Sequence, residues 1–240
     1  MDERTTKIDI MLVENIKKFS NEVNSKFYFN YDLKKSNWFN IGGRAKVFFK
    51  VESLADLILF LKKFGLSEKI FTLGAGSNTL ISDDIFNGIV VKLGKNFSNV
   101  SLLPNNLIVA GSACTDKKLS EFALNNGVGG FEFLACIPGT IGGGLKMNAG
   151  CFDREIKDIL ISVQAIDKIG RIITIPADKI LFEYRNNDLA DDLIFLSASF
   201  RGEKRKQEII QKEIIELKKK KDISQPTKIK TSGSTFKNPI

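Results

Sequence analysis

Apolar positions recur with a helical period through residues 7–29, where Ile8, Met11, Leu12, Ile16, Phe19 and Val23 stand out from a polar background. That spacing predicts one amphipathic helix. The period then shortens to two. AKVFFKV (Ala45 to Val51) alternates as a strand does, and Ser53 followed by Asp56 has the form of a capping box opening the helix LADLILFLKKF. KIFTL (Lys69 to Leu73) and GIVVKL (Gly88 to Leu93) read as short buried strands, the first running directly into a glycine turn. This β-α-β-turn-β order predicts a small α/β unit.

A second unit begins at LIVAG (Leu107 to Gly111). Thr115 is placed to cap the helix DKKLSEFALNN, and Gly127 stands where a left-handed residue would end it. A glycine-rich segment follows, Gly139 to Gly150. ISVQAID and RIITI, joined around Lys168–Gly170, predict a hairpin, and LIFLSASF (Leu193 to Phe200) one more strand. EKRKQEIIQKEIIELKKKK carries Ile210, Ile214 and Leu217 as the apolar stripe of a charged helix, and the remaining DISQPTKIKTSGSTFKNPI is turn-rich.

Composition alters this picture mainly by exclusion. The 240 residues, 43% hydrophobic and 27% charged, are globular in balance. The histidine count is zero, which removes Ser-His-Asp and Cys-His nucleophile pairs, histidine-ligated zinc and any imidazole switch. Proton transfer is left to carboxylates, Lys, Tyr, Cys or an activated hydroxyl. Cys114, Cys136 and Cys151 form no CxxC pair, and their odd number predicts buried cytosolic thiols, not a disulfide framework. MDERTTK lacks the apolar core of a secretory signal, and no apolar run approaches the roughly 20 residues of a bilayer span, so a cytoplasmic chain without membrane insertion is expected. The net charge of +8 invites a nucleic-acid partner. Yet the dense run Lys218 to Lys221 ends an apparent helix, and one tryptophan and three tyrosines give little stacking platform, so none is expected.

Two glycine clusters are the candidate chemistry. Gly74-Ala75-Gly76-Ser77-Asn78-Thr79 follows an apolar strand, where glycines let backbone N–H groups turn toward an anion. It is neither GxGxxG nor a P-loop, and on local residues alone a tight turn is the better reading. The second cluster is Ile137-Pro138-Gly139-Thr140-Ile141-Gly142-Gly143-Gly144, then Met147-Asn148-Ala149-Gly150. Its glycines cost up to about 1 kcal/mol each relative to Ala in regular structure, and they permit close approach to a flat or phosphorylated ligand; an irregular loop with left-handed turns is the alternative. Two such loops, each near a strand, tilt the balance toward a phosphate-bearing cofactor.

NWFNIGGRA (Asn37 to Ala45), GAGSN (Gly74 to Asn78), IPGTIGGGLKMNAG (Ile137 to Gly150), EYR (Glu183 to Arg185) and GSTFKNP (Gly233 to Pro239) together resemble the UDP-N-acetylenolpyruvoylglucosamine reductase family of peptidoglycan synthesis, in its shorter type. The resemblance implies an α+β FAD-binding fold of the vanillyl-alcohol-oxidase (PCMH) type. Residues 1–36 would form an N-terminal helical arm. Residues 37–203 would form the FAD-binding domain, with α/β subdomains of about 37–96 and 97–203, and 204–240 the start of an incomplete substrate-binding domain. It implies non-covalent FAD, held at its pyrophosphate by Gly74, Ala75, Gly76, Ser77 and Asn78. Pro138, Gly139, Thr140, Gly142, Gly143, Asn148, Ala149 and Gly150 would line the pyrophosphate and flavin. NADPH would be the reductant and a UDP-sugar the substrate. Ser234 matches the serine that protonates the enolate carbon, Arg185 the arginine that stabilises the enolate, and Tyr184 and Asn238 substrate-contacting positions. The family's YRxS reads Tyr184-Arg185-Asn186-Asn187 here, and its catalytic glutamate lies beyond the position of Ile240. A chain ending there is expected to bind FAD with impaired turnover. The alternatives are a non-catalytic FAD-binding remnant and an FAD oxidase of the same wider fold.

Overall fold

The structure, a computed structural model, describes residues 3–224, with side chains from residue 11 onward. Helix α1 (Glu3–Phe19) ends earlier than the apolar period suggests, and a strand the periodicity does not reveal, β1 (Lys26–Asp32), follows it. The single helix expected over 7–29 is therefore a helix, a turn and the start of a strand. Ser25 fixes the turn: its N–H and hydroxyl both donate to Asp56 Oδ2, at 2.9 and 2.6 Å. β1 pairs antiparallel with β2 (Arg44–Val51), setting Phe27 opposite Phe49 with their rings stacked 4.2 Å apart. Residues 26–32, read as part of a helical arm, thus form an edge strand of the first sheet.

Helix α2 (Leu54–Phe64) is capped by Ser53, whose side chain accepts from the Asp56 N–H at 3.1 Å. The return bond of the expected capping box is absent because the Asp56 carboxylate is engaged by Ser25. Strands β3 (Ile70–Thr72) and β4 (Phe86–Leu93) complete the first sheet in the order β1-β2-β4-β3, with β2, β4 and β3 parallel.

The second sheet is antiparallel. β5 (Val100–Leu103) and β6 (Leu107–Gly111) form a hairpin, and α3 (Asp116–Asn125) follows under a Thr115 cap, ending at Gly127 with φ +64°. The glycine-rich segment, expected as a loop, winds into a short helix, α4 (Ile141–Lys146). β7 (Leu160–Ile166), β8 (Ile172–Pro176) and β9 (Ile194–Arg201) give the order β8-β7-β9-β6-β5, and α5 (Gln207–Ser224) packs on α3 and on the 3₁₀ turn Glu132–Cys136.

Two hydrophobic cores meet at the junction of the sheets. The first gathers Phe19, Phe49, Leu57, Phe60 and Val91, and it also takes in Ile166, Ile194 and Leu196 from β7 and β9. The second packs α3 and α4 on their sheet through Leu119, Ile141, Leu145, Val163 and Phe200. Side chains of the second sheet therefore finish the core of the first.

Candidate active site

The two glycine clusters, far apart in sequence, lie side by side. A Cβ built on Gly74 would stand 2.8 Å from Thr140 Oγ1, and one on Gly139 would stand 3.9 Å from Ser77 Oγ. Thr140 is placed there by a β-bridge to Thr115, the α3 cap, with the Asp116 N–H donating to Gly139 O at 3.3 Å and the Ile141 N–H to Cys114 O at 2.9 Å. The strand β3 and the start of α3 thus deliver the loops to one place.

Gly76 has φ +69°, and a Cβ there would fall 2.3 Å from Ser36 O and 2.8 Å from Asn37 Cα. The Trp38 N–H donates to Gly76 O at 3.0 Å. Asn37 in turn donates from Nδ2 to Leu33 O and Ile41 O. The NWFNIGG segment is therefore the bed on which the first loop lies. Among the described residues, none of the amides of residues 74–79, nor those of Gly139 and Thr140, donates to a backbone carbonyl. Clustered amides without internal acceptors suit an anion such as a pyrophosphate, and the residues present fit FAD in that respect.

Asn148, Ala149 and Gly150 join this surface to EYR. Asn148 is fully buried with φ +39°. Its Nδ2 donates to Glu155 Oε2 at 2.9 Å and Glu183 O at 3.1 Å, and its Oδ1 accepts from the Lys157 N–H. That side chain braces the turn, whose own amides stay within the fold, the Asn148 N–H donating to Leu145 O and the Ala149 N–H to Gly144 O. Arg185, itself at φ +59°, donates from its guanidinium to Asn148 O at 3.2 Å and Gly150 O at 3.0 Å, and lies 4.9 Å from the Tyr184 ring centroid. Its ion pair with Glu155 is long, 3.8 Å. The guanidinium keeps further N–H donors for a ligand. Ser234 and Asn238 lie outside the described residues. A surface cleft of about 920 Å³, lined by residues including Asn126, Lys204 and Gln207, is elsewhere and does not touch these loops.

Sequence reasoning missed Asp116, the first residue of α3. It is fully buried, and neither carboxylate oxygen has a hydrogen-bond partner among the described residues. Oδ2 lies 2.6 Å from the Cβ position of Gly139, directly beneath the second loop. The only sequence signal was an acid in the first turn of a helix, which ordinarily marks a solvated cap. Burial pushes its carboxyl up to about 7. A raised carboxyl stays protonated in the fold while the unfolded chain ionises, so stability falls as pH rises from about 4 to 7. We expect the urea midpoint to drop across that window by an amount equivalent to a few kcal/mol, and Asp116→Asn to flatten the profile. Identical slopes for both proteins would contradict a buried, partnerless acid.

The α/β first sheet, the antiparallel second sheet and the paired loops define an FAD-binding protein of the vanillyl-alcohol-oxidase class, and residues 45–176 match the family described as "FAD binding domain". A UDP-N-acetylenolpyruvoylglucosamine reductase of Pelagibacter ubique is 72% identical over 230 residues, 96% of this chain and 76% of that protein. One from Rickettsia typhi is 44% identical, over 88% of this chain and 71% of its own. The chain therefore belongs to the UDP-N-acetylenolpyruvoylglucosamine reductase family and spans about three quarters of the length of these relatives. Among solved structures, the enzyme from Thermus caldophilus superposes with a TM-score of 0.77 at 26% identity, covering 90% of this chain and 75% of that one. A BBE-like 1 protein of Physcomitrella patens shares the fold alone, with a TM-score of 0.56 at 16% identity over 78% of this chain and 44% of its own.

Proposed function

We propose that this chain uses FAD and NADPH to reduce the enolpyruvyl group of UDP-N-acetylglucosamine enolpyruvate, giving UDP-N-acetylmuramate for peptidoglycan synthesis, in the cytoplasm. Family membership supports the reaction. Among the described residues no helix is long and apolar enough to cross a membrane, and the three cysteines are free thiols, which suits a reducing compartment. The observation that carries the reading is the row of unengaged amides at residues 74–79 beside Thr140.

FAD, when bound, would supply the hydride-transfer chemistry between NADPH and the enolpyruvyl double bond. Everything else falls to the chain. The amides of Gly74, Ala75, Gly76, Ser77 and Asn78 hold the pyrophosphate, with Pro138, Gly139, Thr140, Gly142 and Gly143 closing over it. Asn148, through its braced turn, sets Ala149 and Gly150 against the flavin. Arg185 accommodates the negative charge that grows on the substrate carboxylate as the enolate forms, a task suited to a fixed guanidinium fork. Ser234 Oγ delivers the proton to the enolate carbon, and Tyr184 and Asn238 orient the UDP-sugar. With no histidine in the chain, a hydroxyl acid is consistent with the side chains available.

The purified protein should be yellow, release FAD on denaturation, and oxidise NADPH only when the enolpyruvyl sugar is present. Substrate-independent peroxide formation with an alcohol donor would point to an oxidase instead. Retained FAD with no sugar-dependent NADPH oxidation would overturn the proposed reaction.

A further inference from the structure

Cys136 closes the turn Glu132–Cys136, and Cys151 follows Gly150 in a two-residue strand that packs on that turn. The packing of that strand on the turn brings the two thiols close enough to interact. Lys221 of α5 reaches the same spot, its Nζ donating to Cys136 O at 2.5 Å. Lys218 and Asp222 of the same helix face Cys136, and Arg185 faces Cys151. The cysteines flank residues 137–150, the whole second glycine cluster.

We propose that Cys136 and Cys151 are a peroxide-oxidisable pair that forms a disulfide across the base of the 137–150 segment. The neighbouring Cys151 thiol, aided by Lys221 and Lys218 and opposed by burial and Asp222, lowers the Cys136 thiol to about 7. The closeness of Cys136, with burial, pushes Cys151 up, so it serves as the resolving thiol. Cys114 is fully buried with its thiol pushed up to about 11, and stays a spectator. Cys136 is only 5% exposed, which admits a small peroxide more readily than a bulky disulfide.

The Cys136 thiolate attacks one oxygen of hydrogen peroxide; the O–O bond breaks, leaving a sulfenic acid and hydroxide. Cys151 sulfur then attacks that sulfur, the S–S bond forms, and the S–O bond breaks. The departing hydroxide takes the Cys151 proton as water. Two thiols lose two electrons in all, and one peroxide becomes two waters. This chemistry stands independently of the cofactor assignment.

The test treats the full, FAD-loaded chain with equimolar peroxide, then alkylates it under denaturing conditions. One thiol should remain of three, the intact mass should fall by two hydrogens, and a peptide link between Cys136 and Cys151 should disappear with dithiothreitol. Cys151→Ser should stop at a sulfenic acid on Cys136 that dimedone traps, whereas Cys136→Ser should react about tenfold more slowly or worse. The wild-type rate should climb through about pH 7, and Lys221→Ala should move that climb upward. Three surviving thiols, a link between chains instead of within one, or equal rates for the two serine variants would overturn the proposal.

Discussion

Replacing Arg185 by alanine should lower kcat by about 10²–10³ while the protein still purifies with FAD. The side chain is 35% exposed and tied to two carbonyls of the Asn148–Gly150 turn, so its head is fixed while remaining open to a ligand. Holding a guanidinium in place beforehand is what makes it effective against a charge that develops only during reaction. A surface ion pair with Glu155 at 3.8 Å would contribute at most about 1 kcal/mol, and its loss would change kcat by less than tenfold. Arg185→Lys should not restore the rate, because a single ammonium cannot keep both carbonyls and still face the substrate. Near-normal turnover in Arg185→Ala would remove the residue from the reaction. Loss of flavin alongside kcat would assign it to the turn instead.

Gly76→Val should yield a colourless protein, with FAD affinity down by about 100-fold or more. A left-handed residue other than glycine costs about 1–2 kcal/mol, and a β-branched one more. The larger effect is steric. The new Cβ would meet the Ser36 carbonyl at 2.3 Å, and backbone on both sides leaves nothing flexible to yield. The loop must lift from the NWFNIGG bed, scattering the amides that line up at residues 74–79. The obstacle is thus within the protein, where the sequence pointed to an approaching phosphate. Gly143→Ala is the informative control: its Cβ would meet only Thr140 Oγ1, at 3.6 Å, so any flavin lost there reports contact with the ligand itself. Circular dichroism separates both outcomes from unfolding, and tight FAD binding by folded Gly76→Val would show that the loop is only a turn.

Strands bounded by glycine or turn residues, β2, β4, β6 and β9, were legible because short apolar runs and their punctuation agree. β1 was not. The break before it is made by Ser25 reaching Asp56, a contact across thirty-one positions that no local pattern encodes. α4 was obscured by its glycines, which argue against helix until Ser112 O and Cys114 O engage its first amides. In the site, the glycine clusters were visible as composition, but their adjacency depends on the Thr115–Thr140 bridge. The brace formed by Asn148, the buried Asp116 and the meeting of Cys136 with Cys151 are products of tertiary packing. Each residue alone has an ordinary reading as turn former, cap or core thiol.

The junction where Ile166, Ile194 and Leu196 complete the first core has a consequence for the life of the protein in a cell. Because neither half buries its apolar surface without the other, a ligand seated where the halves meet stabilises both together. FAD at one hundred times its dissociation constant would add about 2.7 kcal/mol to the whole fold by mass action. Turnover of the protein by proteases, which sample the unfolded fraction, would then track flavin supply, and riboflavin starvation would reduce its abundance before it limited catalysis.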